Sequence, residues 1–110
     1  MSTKLQRNAE LVFTINNQTI EGILNILVIQ GMLVLLLDNT LYGESNVLCY
    51  SFKGDLIWTI SNPVRVHSEY ETYFVGTAFQ EGKLLVYSKD GVEYDVSLET
   101  GTFNKYELVK

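Results

Sequence analysis

The sequence predicts an all-β fold: an antiparallel meander of about 8–10 strands, a count set by the turn spacing, in two blade-like four-stranded units. These units either pack as a sandwich or curl into a barrel. Three observations predict it. Five of the eight glycines follow a polar residue where a tight turn is expected: Gln30-Gly31, Lys53-Gly54, Glu81-Gly82, Asp90-Gly91 and Thr100-Gly101. The runs between them are short and rich in Val, Ile, Leu, Tyr, Phe and Thr, the residues that suit a pleated surface. No segment offers an amphipathic helix of useful length with capping residues at both ends.

The strands follow in order. The segment Glu10 to Ile20 is placed to cover a sheet edge, with Leu11, Phe13 and Ile15 alternating against Val12 and Thr14. Ile23 to Ile29 and Met32 to Leu37 form a hairpin. The second strand is apolar on both faces, so it should be central and covered on both sides. Leu56, Trp58 and Ile60 form a one-sided apolar row. Val92, Tyr94, Val96 and Leu98 share one face, while Glu93, Asp95 and Ser97 share the other, which describes a strand with one wet side.

The chain also resembles itself. Residues 31–38 lead, after an insertion, to 46–58; residues 82–90 lead directly to 91–103. Each copy reads as strand, turn, strand, glycine turn, strand, with a further apolar run ahead of it. Gly31 and Gly82 therefore mark equivalent turns of repeat-like units at about 23–60 and 73–108, within a single all-β domain spanning 1–110.

The stretch Gly82-Lys83-Leu84-Leu85-Val86-Tyr87-Ser88-Lys89-Asp90-Gly91 and its continuation to Gly101 resembles a blade of the pyrroloquinoline-quinone-type (PQQ-like) β-propellers. So does Val47 to Trp58, with its tryptophan just after the glycine hairpin. The resemblance covers roughly 23–108 and lies in turns and a packing aromatic. It implies strand architecture alone. A closed propeller takes at least about four blades, and this chain has material for two, so no quinone-binding or catalytic residue carries over.

Charge and cysteine content narrow the partners. Thirteen acidic residues face eight basic ones, for a net charge of −5. Without a basic stripe, nucleic-acid binding is not expected. An acidic surface suits a basic partner, and the same charge also serves solubility. Cys49 is the only cysteine, so no internal disulfide forms, and a lone thiol in an apolar run fits a reducing, cytoplasmic location. Met1 to Asn8 carries no apolar core of a signal peptide. The most apolar stretch, Ile23 to Leu37, falls short of the ~20 residues of a spanning helix and is interrupted by Asn25, Gln30 and Gly31. No membrane association is expected.

Catalytic signatures are missing. His67 is the only histidine and lies in the polar segment Ser61 to Thr72 without an evident partner; a solvated loop histidine accounts for it. Cys49 sits mid-strand, where a buried thiol is inert. One Cys and one His cannot make a zinc site without carboxylates, and no phosphate-cradling glycine loop or nucleophile elbow is present. The pairs Asp38 and Glu44, and Asp90 and Asp95, sit at hairpin ends where Asp serves turns. Neither an enzyme nor a cofactor is expected.

Two long loops remain. Residues 39–46 replace a two-residue connection in the second copy, and 61–72 joins the units. Loops on a rigid β scaffold carry binding residues. Tyr42, Arg65, His67, Tyr70 and Tyr73 are the candidate partner-binding residues, since Tyr and Arg dominate interface hot spots. Tyrosines capping a β core account for the same pattern. Trp58 reads as a packing residue rather than a ligand platform. The expected function is a non-enzymatic module that binds a protein partner or itself, such as a bacterial immunity or inhibitor protein. The alternatives are a small-molecule-binding barrel, and a propeller-like unit completed by oligomerisation.

Overall fold

A computed structural model describes residues 2–5, 11–15, 18–65 and 71–108. The strands are β1 (Ser2–Leu5), β2 (Leu11–Ile15), β3 (Gln18–Ile29), β4 (Met32–Leu37), β5 (Val47–Ser51), β6 (Leu56–Thr59), β7 (Phe74–Gln80), β8 (Lys83–Ser88), β9 (Val92–Val96) and β10 (Phe103–Leu108), with one short helix, α1 (Asn39–Tyr42). They form two antiparallel meanders: a six-stranded sheet in the order β1-β2-β3-β4-β5-β6 and a four-stranded sheet in the order β10-β9-β8-β7. The sheets stay open and stack as a sandwich. The edge expected to be covered by the N-terminal segment is covered by β2, which pairs with β3.

The internal repeat is visible in hydrogen-bond register. In the first unit Ile23 pairs with Leu37 and Asn25 with Leu36, with a bulge between. In the second, Phe74 pairs with Ser88 and Gly76 with Tyr87, again with a bulge between. Every one of these positions is offset by 51 residues between the two hairpins. Their turns match as well: Gln30 and Gly31 have φ of 49° and 79°, Glu81 and Gly82 of 52° and 76°. Two consecutive positive φ values define the turn whose twist suits a two-residue hairpin, and glycine at its second position takes that conformation without steric cost.

Side-chain alternation divides the core into two layers. Val34 and Leu36 of β4, with Val47 and Cys49 of β5, face the four-stranded sheet and meet Phe74, Leu84, Val86, Val92, Tyr94 and Val96. Leu33, Leu35 and Leu37 face the other way and pack with Ile20, Ile23, Leu48 and Tyr50. Strand β4 is thus covered on both sides, as its unbroken apolar sequence requires. One row departs from expectation. Trp58 and Ile60 point into the core, but Leu56 is half exposed. The ladder slips between Trp58↔Cys49 and Tyr50↔Leu56, and this bulge turns Leu56 to the opposite face.

Polar contacts fix how the two sheets meet. Asn46, fully buried just before β5, donates to the carbonyls of Leu37 and Phe74, both at 2.8 Å, and accepts from the Phe74 amide at 2.9 Å. Its side-chain amide pairs with Phe74 at two points, as a neighbouring strand would. This network also sets the amide's orientation, because the flipped form would face donors with donors. On the opposite flank, the Trp58 indole donates to the Leu98 carbonyl at 2.8 Å and lies against Gly101, where a Cβ would fall 2.6 Å from the ring. Gly101 also has φ of 75°, so both conformation and space demand glycine there. Asn25 Nδ2 donates to Thr77 Oγ1 at 2.8 Å, a third point of polar contact between the two halves.

Removing the Asn46 side chain leaves the Phe74 amide and two carbonyls without partners in a dry core. Asn46→Ala should therefore lower unfolding free energy by about 3 kcal/mol or more, read from urea denaturation. A loss below about 1 kcal/mol, the net worth of one ordinary hydrogen bond, would contradict this placement.

Candidate functional site

The β4–β5 loop and the β6–β7 linker leave the same end of the six-stranded sheet, since β4 ends where β5 begins and β6 returns to that end. The sequence allots one long loop to each, and the structure ties them together. Asp38 caps α1, accepting from the Thr40 amide at 2.9 Å and the Thr40 hydroxyl at 2.8 Å. These bonds, the backbone one first, hold its carboxyl below its ordinary pKa. After the helix, Glu44 forms an ion pair with Arg65 at 2.7 Å, and Ser45 donates to Asn62. Asn46 then anchors the loop in the core. Across the linker, the Val64 amide donates to the Tyr94 hydroxyl at 2.9 Å.

Downstream of the linker, Thr72 donates to Asp90 at 2.9 Å, and Ser88 donates to the same carboxylate oxygen. The Lys89 ammonium lies 5.4 Å from the centre of the Tyr73 ring, within cation–π range. The Lys89 amide donates to the Tyr73 carbonyl at 2.9 Å. The loop end is therefore braced throughout, with both charge signs represented.

The candidate residues fare differently. Arg65 is exposed and joins the two loops. Tyr73 is half-buried beside Lys89. Tyr42 turns inward: its ring packs on the Leu33, Leu35 and Leu37 layer, and its hydroxyl donates to the Glu21 carbonyl at 3.0 Å. It supports the loop from below. The apolar group the helix displays is its neighbour Leu41, 60% exposed, which the sequence reading passed over. A one-turn helix has no periodicity from which to tell the outward residue from the inward one. His67 and Tyr70 lie outside the described residues.

A second feature was also missed. An open cleft of about 650 Å³ sits between the sheets at the opposite end, where the β3–β4 hairpin turns. Met32, Ile57, Leu84 and Leu98 line it, with Lys83 and Asp95 among its polar residues. These positions come from five separate turns and strands, so no local motif announces them.

Both acidic pairs named from the sequence serve structure: Asp38 caps a helix, Glu44 binds Arg65, Asp90 ties two segments and Asp95 accepts from Asn104. Among the described residues, no group of three or more His, Cys, Asp or Glu is placed to hold a metal ion. No helix among them is long and apolar enough to cross a membrane.

Residues 3–108 match the model of a family described as a domain of unknown function, DUF7957. The chain belongs to the DUF7957 family. The match takes in both sheets of the sandwich, so the DUF7957 unit includes the N-terminal hairpin as well as the two repeated units. No curated protein matches the chain.

The one thiol of this DUF7957 domain is inaccessible. Cys49 is fully buried, with Met32 Sδ 3.8 Å from its sulfur, and burial pushes its pKa up to about 11 from an ordinary 9.0. The proton is held more tightly in the folded state, so this contribution to stability is whole below pH 9 and is lost as pH rises towards 11. Two units correspond to about 3 kcal/mol. Buried tyrosines shifted in the same direction, such as Tyr94, add to the trend. Denaturation at pH 8 and pH 11 should show Cys49→Ala losing less stability than the unaltered chain over that interval. Equal losses would contradict the buried-thiol assignment.

Proposed function

We propose that the chain is a non-enzymatic interaction module that engages a basic protein partner through the loop end, in the manner of an immunity or inhibitor protein. The observation that carries this reading is the bracing of the two longest loops against each other by Glu44–Arg65 and Ser45–Asn62. Loops already held in place lose little freedom on binding, which preserves affinity. The two loops carry Leu41 and Arg65 exposed and Tyr73 half-buried, an apolar, guanidinium and aromatic mixture typical of contact hot spots. His67 and Tyr70 belong to the same linker in sequence and remain candidates on sequence grounds. The net charge of −5 favours a basic partner and association that weakens with salt.

Affinity capture from the source cell's lysate, with the unaltered chain and Arg65→Ala, Leu41→Ser and Tyr73→Ala as parallel baits, tests it. One dominant basic protein should be retained by the unaltered bait and released by salt. Each variant should bind it about ten-fold more weakly, the loss of an ordinary hot-spot residue. Arg65→Ala should leave folding stability nearly unchanged, because the Arg65 end of the ion pair is solvated. Full capture by all three variants would remove the loop end as the site.

The cleft at the other end gives the second reading, a small-molecule binder. Fatty acids or hydrophobic dyes that shift the amide resonances of Met32 and Leu98, and leave those of Glu44 and Arg65 in place, would move the function there.

A further inference from the structure

Strand β10 ends the four-stranded sheet, hydrogen-bonded to β9 on one side; among the described residues no strand pairs with its other side. Such an edge is a template for a further strand. What could pair with it is written in its side chains. Register places Lys105 opposite Asp95 and Glu107 opposite Glu93 on the outer face, and Tyr106 opposite Tyr94 on the core face. Like charges directly opposite each other are destabilising, so Glu107 sits next to an unfavourable neighbour. On the other face an aromatic row runs outward: Phe74 to Tyr94 at 5.3 Å, Tyr94 to Phe103 at 4.4 Å, Tyr94 to Tyr106 at 5.6 Å. It stops at Tyr106, which is 53% exposed although it continues the core face, and Leu108 beyond it is 56% exposed.

A second copy of this chain answers both features. Directly opposed residues on paired antiparallel strands share a face, and faces alternate along each strand. A two-fold axis that keeps outer face with outer face must therefore pass through a residue. Centred on Lys105 it sets lysine against lysine; centred on Glu107 it sets glutamate against glutamate. Centred on Tyr106 it sets Lys105 of each copy against Glu107 of the other and Tyr106 against Tyr106. That register supplies Glu107 with a cation and carries the aromatic row across the seam. We propose that two copies pair antiparallel through β10 in this register, joining their four-stranded sheets into one continuous sheet. This surface is separate from the loop end, and its test does not depend on any partner found there.

The experiment is sedimentation equilibrium over a concentration series, on the unaltered chain, on Lys105→Glu, on Glu107→Lys, on an equimolar mixture of those two, and on the double swap. The unaltered chain should dimerise. Each single reversal replaces two attractions by two repulsions and should weaken the dimer by about ten-fold or more. The mixture should form heterodimers and the double swap should dimerise again, because both restore lysine against glutamate. Recovery in the mixture also shows that the single variants are folded. A chain that stays monomeric at every concentration, or a dimer indifferent to both single reversals, would overturn the proposal.

Discussion

Asn46 carries three hydrogen bonds in a position with no access to water, and both sheets hang on it. One carbonyl it satisfies belongs to β4, while the amide and the other carbonyl belong to Phe74 at the start of β7. Its own backbone carbonyl accepts from Leu37 at 2.8 Å. Hydrophobic contact between two sheets is non-directional and tolerates sliding. A buried amide does not, because displacement by even one ångström would leave several polar groups unpaired at 1–3 kcal/mol each, as an order of magnitude. Asn46 thereby selects one docking of the sheets out of many that would bury similar apolar area. Because it is also the last residue of the 39–46 loop, the same bonds fix where that loop ends, two residues after Glu44 meets Arg65.

The repeat shows what such a constraint adds. Two hairpins with the same turns and the same bulge could stack on each other symmetrically, yet the chain breaks the symmetry at the next connection. The second copy passes from β8 to β9 in a short turn built on Asp90 and Gly91, while the first inserts α1 and the loop that ends in Asn46. The inserted residues are the ones that hold the copies together. Trp58 makes a matching contact from the other flank, and only glycine at position 101 lets the β9–β10 turn approach the indole.

Much of the fold was legible in the sequence because its causes are local. Positive-φ turns, the doubly apolar β4 and the alternating β9 each follow from residues next to one another. Leu56 was misplaced because a bulge leaves no mark in an alternation of apolar residues. The candidate site was legible only in outline. Loop length singled out the two segments, and Arg65 is exposed on one of them, but its pairing with Glu44 across 21 residues of chain could not be foreseen. Tyr42 turns inward and Leu41 outward because a helix of a single turn is oriented by its cap and by what lies beneath it. The cleft, assembled from five separate turns and strands, had no local signal at all.

The central claim is that the Asn46–Phe74 pair is part of the global structure and not a surface contact. Native-state hydrogen exchange at the Phe74 amide measures this directly. If the pair locks the sheets together, that amide should exchange only through global unfolding, with the same opening free energy and denaturant dependence as the most protected amides of β4 and β8. Exchange through a low-energy local opening, insensitive to denaturant while β4 and β8 remain protected, would mean that the sheets stay docked without it.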